Sequence, residues 1–118
     1  MPANTTNLPA VSWQDFEKLD IRVGTIREVD QAANLRKPAY QLVIDFGAYG
    51  MRRSSAQITA LYDPVSLIGR QVVAVLNFPP KQIGHFFSEC LVLGGYTGKN
   101  EVVLLGPERE LENGAKVG

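Results

Sequence analysis

The chain has 118 residues, 45% of them hydrophobic, with 12 basic and 12 acidic side chains and a formal net charge of zero. That length makes one domain, which buries roughly two-thirds of the surface its unfolded form exposes and needs neither metal nor disulfide to hold it together. Zero net charge excludes a global field that gathers polyanions or membranes, and the single cysteine, Cys90, excludes an intrachain disulfide and fits a reducing compartment.

The opening stretch MPANTTNLPAVSW has neither the charged n-region nor the apolar h-region of a signal peptide. No hydrophobic run approaches the ~18 residues of a membrane span. The expectation is a cytoplasmic protein without membrane insertion, with a flexible tail over residues 1–10 and one domain over residues 11–118.

SWQDFEKL opens with Ser12 as N-cap, carries Asp15 three residues on, and spaces Trp13, Phe16 and Leu19 along one face, which predicts a short first helix. DIRVGTIREV alternates Ile21, Val23 and Thr25 against Arg22 and Gly24, then slips phase at Ile26. This predicts a bent first strand with a bulge near Gly24. AYQLVIDFG has a clean period of two, with Tyr40, Leu42, Ile44 and Phe46 on one face, and is the second strand. GAYG is a turn. RRSSAQIT, residues 52–59, is then a third strand that points Ala56 and Ile58 inward and leaves Arg53, Ser55 and Gln57 together on the other side.

YDPVSLIG offers Asp63 as N-cap, Pro64 at the first helical position and Gly69 just past the end, predicting a helical turn or two. QVVAVLNF is an apolar strand. PPKQIGHFF cannot be regular sheet at its prolines and is expected to be a loop, while SECLVLGG and EVVLLG close the strand pattern with GGYTG as a hairpin loop between them. The layout is all-β: about five strands with a helical insertion between the third and fourth, as in an OB-fold barrel.

His85 is the only histidine, and with Cys90 it makes no metal-ligand spacing. Cys90 lies in a strand without a partnering pattern and is expected to be an inert, partly buried thiol. Neither a paired-carboxylate motif nor a glycine-rich phosphate cradle is present. The expectation is a protein without catalysis, metal, nucleotide or other cofactor.

NFPPKQIGHFFSE places Phe78, Phe86 and Phe87 beside Lys81 and His85. Aromatics among cations suit stacking on exposed bases, and equally suit the apolar side chains of an extended peptide. The competing reading makes Phe78 and one of Phe86 and Phe87 core or dimer contacts. LRKPAY supplies Arg36 and Lys37, which with Arg52, Arg53 and Lys81 form a basic rim or, alternatively, scattered solvated cations. Ser54, Ser55 and Gln57 donate and accept hydrogen bonds without sequence-reading geometry, which suits main-chain amides as well as phosphates. An ordinary hydrated strand face is the plainer alternative. VVAVL and VVLL are apolar on both sides, so each needs cover from the first helix, the C-terminal segment or a second subunit, and a symmetric homodimer is favoured.

The pieces FEKLDIRVGTI, LVIDFGAYGMRRSSAQIT, YDPVSLIG, VVAVLNFPPKQIG, SECLVLGG and PERELENGAKV resemble the tRNA-binding-domain family of OB-folds. The pairing of SSAQIT with NFPPKQI is similar to its branch of CsaA-type export-related chaperones. The resemblance implies a homodimer that binds unfolded or secretory polypeptides without catalysis, on a scaffold that relatives use to grip tRNA. Those relatives include appendages of methionyl- and phenylalanyl-tRNA synthetases. Asn77, Pro80 and Ser88 occupy positions that resemble the Asn-Leu-x-Pro and later Ser signature of the appendages. Where the appendages commonly read Ser-Gly-Ile, this chain reads Ala56, Gln57 and Ile58. The alternative function is a tRNA-binding module that reads RNA shape and backbone.

Overall fold

The computed structural model describes residues 7–32 and 37–118. Residues 1–6 of the expected tail, and Arg36, lie outside the described residues. The chain runs through α1 (Trp13–Glu17), β1 (Ile21–Gln31), β2 (Tyr40–Asp45), a 3-10 turn (Gly47–Tyr49), β3 (Met51–Ala56), α2 (Pro64–Leu67) and β4 (Gln71–Val75). The short strands β5 (Lys81–Ile83), β6 (Phe86–Ser88), β7 (Leu91–Val92), β8 (Gly94–Tyr96) and β9 (Val102–Leu104) follow.

Five strands form one antiparallel sheet in the order β3-β2-β1-β4-β7. The sheet curls until its edges meet: the Glu89 amide donates to the Arg53 carbonyl at 2.7 Å, and the Ser54 hydroxyl donates to the Cys90 carbonyl at 3.1 Å. The result is a nearly closed, OB-like barrel, as the strand pattern anticipated. Its core takes Leu42 and Ile44 from β2, Ala56 from β3 and Val72 and Ala74 from β4, with Phe46, Ile58 and Leu76 just past the ends of those strands. Both short helices have the expected caps. Ser12 accepts from the Asp15 amide at 3.0 Å, and Asp63 accepts from the Ser66 amide at 2.9 Å, each satisfying a donor that a helix N-terminus leaves unpaired. No residue of α1 is buried, whereas α2 sends Leu67 into the core.

Three expectations shift. The β1 bulge falls between Ile26 and Glu28 and not near Gly24, which stays in register opposite Val72. Gly24 answers a different need: a Cβ there would stand 2.6 Å from the Phe46 ring. The segment after Pro79 and Pro80 is the β5–β6 hairpin, because the prolines precede the strand and leave its donors intact. Gly84, at φ +63°, opens the two-residue turn between Ile83 and Phe86 as a II′ geometry requires. Third, Gly94–Tyr96 is the strand β8, so the hairpin loop sits later, where Thr97 exchanges backbone bonds with Asn100 and Glu101.

The C-terminal segment lies along the half of β1 that β2 leaves free. The Val23 amide donates to the Ala115 carbonyl, and the Gly114 and Val117 amides donate to Val23 and Ile21. Ile21, Val23 and Val75 are buried outside the main core cluster. Of the two apolar runs weighed for subunit contact, VVAVL therefore has Val75 already covered within the chain, while β9 keeps Val103 exposed. Among the described residues, no helix is long and apolar enough to cross a membrane.

Candidate functional site

The third strand sorts its polar residues by parity. Ser54 points inward, is 1% exposed and uses its hydroxyl on the Cys90 carbonyl, so it belongs to the barrel seam and has no surface to offer a ligand. Ser55 and Gln57 point out as expected, and the Ser55 amide donates to the Ser88 hydroxyl at 3.1 Å. Arg53 also faces outward, where its guanidinium lies 5.2 Å from the Phe86 ring centre and 3.5 Å from the Glu89 carboxylate. Both partners of that ion pair are well exposed, so it holds Arg53 only loosely.

The β5–β6 hairpin stands over this face and makes a groove of about 470 Å³. Its walls are Ser55, Gln57 and Ile58 on one side and Leu91, Val92 and Gly94 on the other, with Lys81, Ile83 and Ser88 from the hairpin and Tyr96, Asn100 and Val102 from the β8–β9 pair. A second cavity of about 320 Å³ opens beside it, between Phe78, Pro79 and Leu91. The two share Lys81, Ser88, Cys90 and Leu91, so a trough of mixed polar and apolar lining runs into a mainly apolar compartment at Lys81. Lys81 is exposed and has no ion-pair partner among the described residues.

The groove thus gathers Ser55, Gln57, Lys81 and Ser88, with Phe78 in the compartment beside it. Other expected site residues lie elsewhere or are already engaged. Arg52 gives its guanidinium to the Leu76 and Tyr49 carbonyls at 3.1 and 3.3 Å. Asn77 is used at both ends of its amide: it donates to the Lys18 carbonyl at 2.7 Å and accepts from the Asp20 amide at 2.9 Å, pinning the end of α1 to the end of β4. His85 sits at the exposed hairpin tip, Phe86 is half-buried beneath Arg53, and Phe87 is exposed. Lys37 is exposed before β2 and lines neither cavity. The sequence reading missed Ile83, Val92, Tyr96 and Asn100, because it read the hairpin as a loop and GGYTG as a turn. An alternation signal exists only in the three-residue runs KQI and FFS, too short to register as strands.

Cys90 lies at the back of both cavities, buried in the core cluster. Burial pushes its thiol up to about 12, which leaves it protonated and unreactive at neutral pH. Among the described residues, no three His, Cys, Asp or Glu side chains are grouped to hold a metal ion. A larger cleft of about 700 Å³ lies between the C-terminal segment and β1 and β4, but its lining balances Arg27, Arg70 and Arg109 against Glu108, Glu110 and Glu112. Its best polar groups are committed: the Gln71 amide donates to the Leu111 carbonyl and accepts from the Leu111 amide.

Comparison with known proteins places these features. The sequence pattern of the family described as "Putative tRNA binding domain" matches residues 21–116. The chaperone CsaA of Bacillus anthracis str. Ames is 50% identical, with a TM-score of 0.89 over 93% of this chain and 100% of that one. The CsaA chaperone protein of Picrophilus torridus is 49% identical, with a TM-score of 0.86 over 92% of this chain and all of that one. Methionine--tRNA ligase of Pyrococcus horikoshii is 37% identical over 107 residues, which is 91% of this chain and 14% of the ligase. The chain spans about a seventh of the curated relatives it matches.

Proposed function

The chain belongs to the tRNA-binding domain family, and from that premise we propose that it is a CsaA-like cytoplasmic chaperone. It holds unfolded or secretory polypeptides, as a homodimer, without catalysis or nucleotide. The observation that carries this reading is a trough where Ser55, Gln57 and Ser88 stand among apolar side chains such as Ile58, Ile83 and Val92, running into the apolar compartment of Phe78, Pro79 and Leu91. Hydrogen-bonding groups suit a main chain of any sequence, and an adjoining apolar recess suits one large side chain, so affinity is general and selectivity weak. Similarity to two CsaA chaperones over their whole length supports the same reading.

In the dimer, the exposed faces of α1 and β9 meet their copies about a twofold axis. Trp13 is 84% exposed, and Phe16, Val103 and Leu105 are also open to solvent. Two grooves in one dimer raise apparent affinity whenever one client spans both.

The second reading, a tRNA-binding module, is favoured by the family itself and by Lys81, Arg53 and Lys37 on the surface. A titration separates the two. Each phosphate contact releases counterions, so tRNA binding falls by powers of ten between low and moderate salt, while an apolar client is far less sensitive. We expect a denatured polypeptide to bind with little salt dependence. Saltable tRNA binding with no polypeptide binding overturns the chaperone reading.

A further inference from the structure

The seam between β3 and the strand that follows Glu89 is stitched along one half and open along the other. In the stitched half the Glu89 amide donates to the Arg53 carbonyl, the Ser55 amide to the Ser88 hydroxyl, and the Ser54 hydroxyl to the Cys90 carbonyl. Beyond Ser55 no such bond crosses the seam among the described residues.

Antiparallel pairing decides which backbone groups stand in the gap. Residues on a paired strand alternate between exchanging bonds with one neighbour and facing the other way. Arg53 and Ser55 bond outward to Glu89 and Ser88, and Gln57, one residue past the end of β3, continues that set, away from β2. On the facing strand the Leu93 amide donates to the Val73 carbonyl, so Leu91 and Leu93 face β4. Val92 between them turns its N–H and C=O towards the groove. Outside the ladders with β2 and β4, and among the described residues, the Gln57 N–H, the Ser55 C=O and both backbone groups of Val92 have no hydrogen-bond partner. All three residues line the groove.

We propose that this open half of the seam is a strand acceptor. An extended polypeptide enters it, bonds through its own backbone to Ser55 and Gln57 on one wall and to Val92 on the other, and completes the barrel. The inference rests on the polypeptide reading of the groove and sharpens it. Two walls that present unpaired N–H and C=O groups are complementary to a chain that carries both groups at every residue, spaced about 3.3 Å apart. RNA repeats a 2′-hydroxyl and a phosphate once per nucleotide, a coarser spacing than a peptide's, and its backbone has no N–H. Along a strand, side chains alternate, so while the backbone is held one large apolar side chain reaches the Phe78, Pro79 and Leu91 compartment. Lys81, where the compartments join, then lies beside the client's next carbonyl or carboxylate.

The test uses the full chain and a synthetic ten-residue peptide with one central leucine, together with the same peptide methylated on its backbone nitrogens. Residue-resolved amide hydrogen exchange is the readout. The acceptor predicts that the unmodified peptide slows exchange of the Gln57 and Val92 amides by about tenfold or more, and that backbone methylation weakens binding by about tenfold or more. If the peptide shifts the signals of Lys81 and Phe78 while both amides exchange as before, and the methylated peptide binds as well, the strand acceptor is wrong and the polypeptide reading stands. If no peptide binds and tRNA does, both fall.

Discussion

At the scale of single residues, the seam and the groove ask different things of neighbouring side chains. Asn77 is structural: its two backbone bonds tie α1 to the barrel. Asn77→Ala is expected to cost about 1–2 kcal/mol in denaturant unfolding while leaving client affinity within about twofold. Lys81 is the reverse case, being exposed and without an ion-pair partner among the described residues. Lys81→Ala should leave the melting temperature unchanged and weaken client binding by about fivefold, on the order of 1 kcal/mol. An Arg53→Ala, Lys81→Ala double variant that binds polypeptide and tRNA as the parent does would refute the site assignment. Cys90 titrates late because burial holds its thiol at about 12, above the ordinary 9.0. The folded state therefore keeps a proton that the unfolded chain gives up. The resulting stabilisation is fully present below pH 9 and drains away as pH climbs towards 12. Denaturant midpoints should show this loss in the parent and not in Cys90→Ala, and thiol reagents at pH 8 should label Cys90 only after unfolding.

Elements were legible in the sequence where hydrophobic period and caps agreed. The second strand buries Tyr40, Leu42 and Ile44 as its alternation demands, Phe46 just past its end is buried too, and Ser12 and Asp63 cap the helices they precede. Legibility failed where strands were too short to show a period. The β5–β6 hairpin hides behind Pro79 and Pro80, and the β8 strand hides in a glycine-rich run. Since those two hairpins form much of the groove, its lining was legible only in part: Ser55, Gln57, Lys81 and Ser88 were among the residues singled out, with Phe78 in the adjoining compartment, while Val92 and Tyr96 were not. Arg52 misled because residue type alone cannot say that a guanidinium will turn to the Leu76 and Tyr49 carbonyls. Gly24 shows the same limit, since its phase slip pointed to a bulge while its real constraint is the Phe46 ring. Gly24→Ala should destabilise the barrel by about 1–3 kcal/mol through overpacking, whereas Gly98→Ala, which meets nothing within 4 Å, should cost far less.

At the scale of the whole molecule, a barrel left unstitched along half its seam carries exposed apolar side chains on α1 and β9, among them Trp13, Phe16 and Val103. If α1 and β9 form the dimer contact, Trp13→Asp with Phe16→Asp converts dimer to monomer in sedimentation, and circular dichroism stays the same because no residue of α1 is buried. A parent chain that sediments as a monomer at every concentration contradicts that arrangement. Zero net charge now has a clearer meaning: with basic and acidic residues equal in number, the molecule is poorly built for a purely electrostatic grip. The most direct measurement is the equilibrium affinity of a denatured polypeptide for the parent and for Gln57→Trp, which fills the trough from an exposed position. The account predicts a loss of at least about tenfold at an unchanged melting temperature; equal affinity for the two proteins would contradict it.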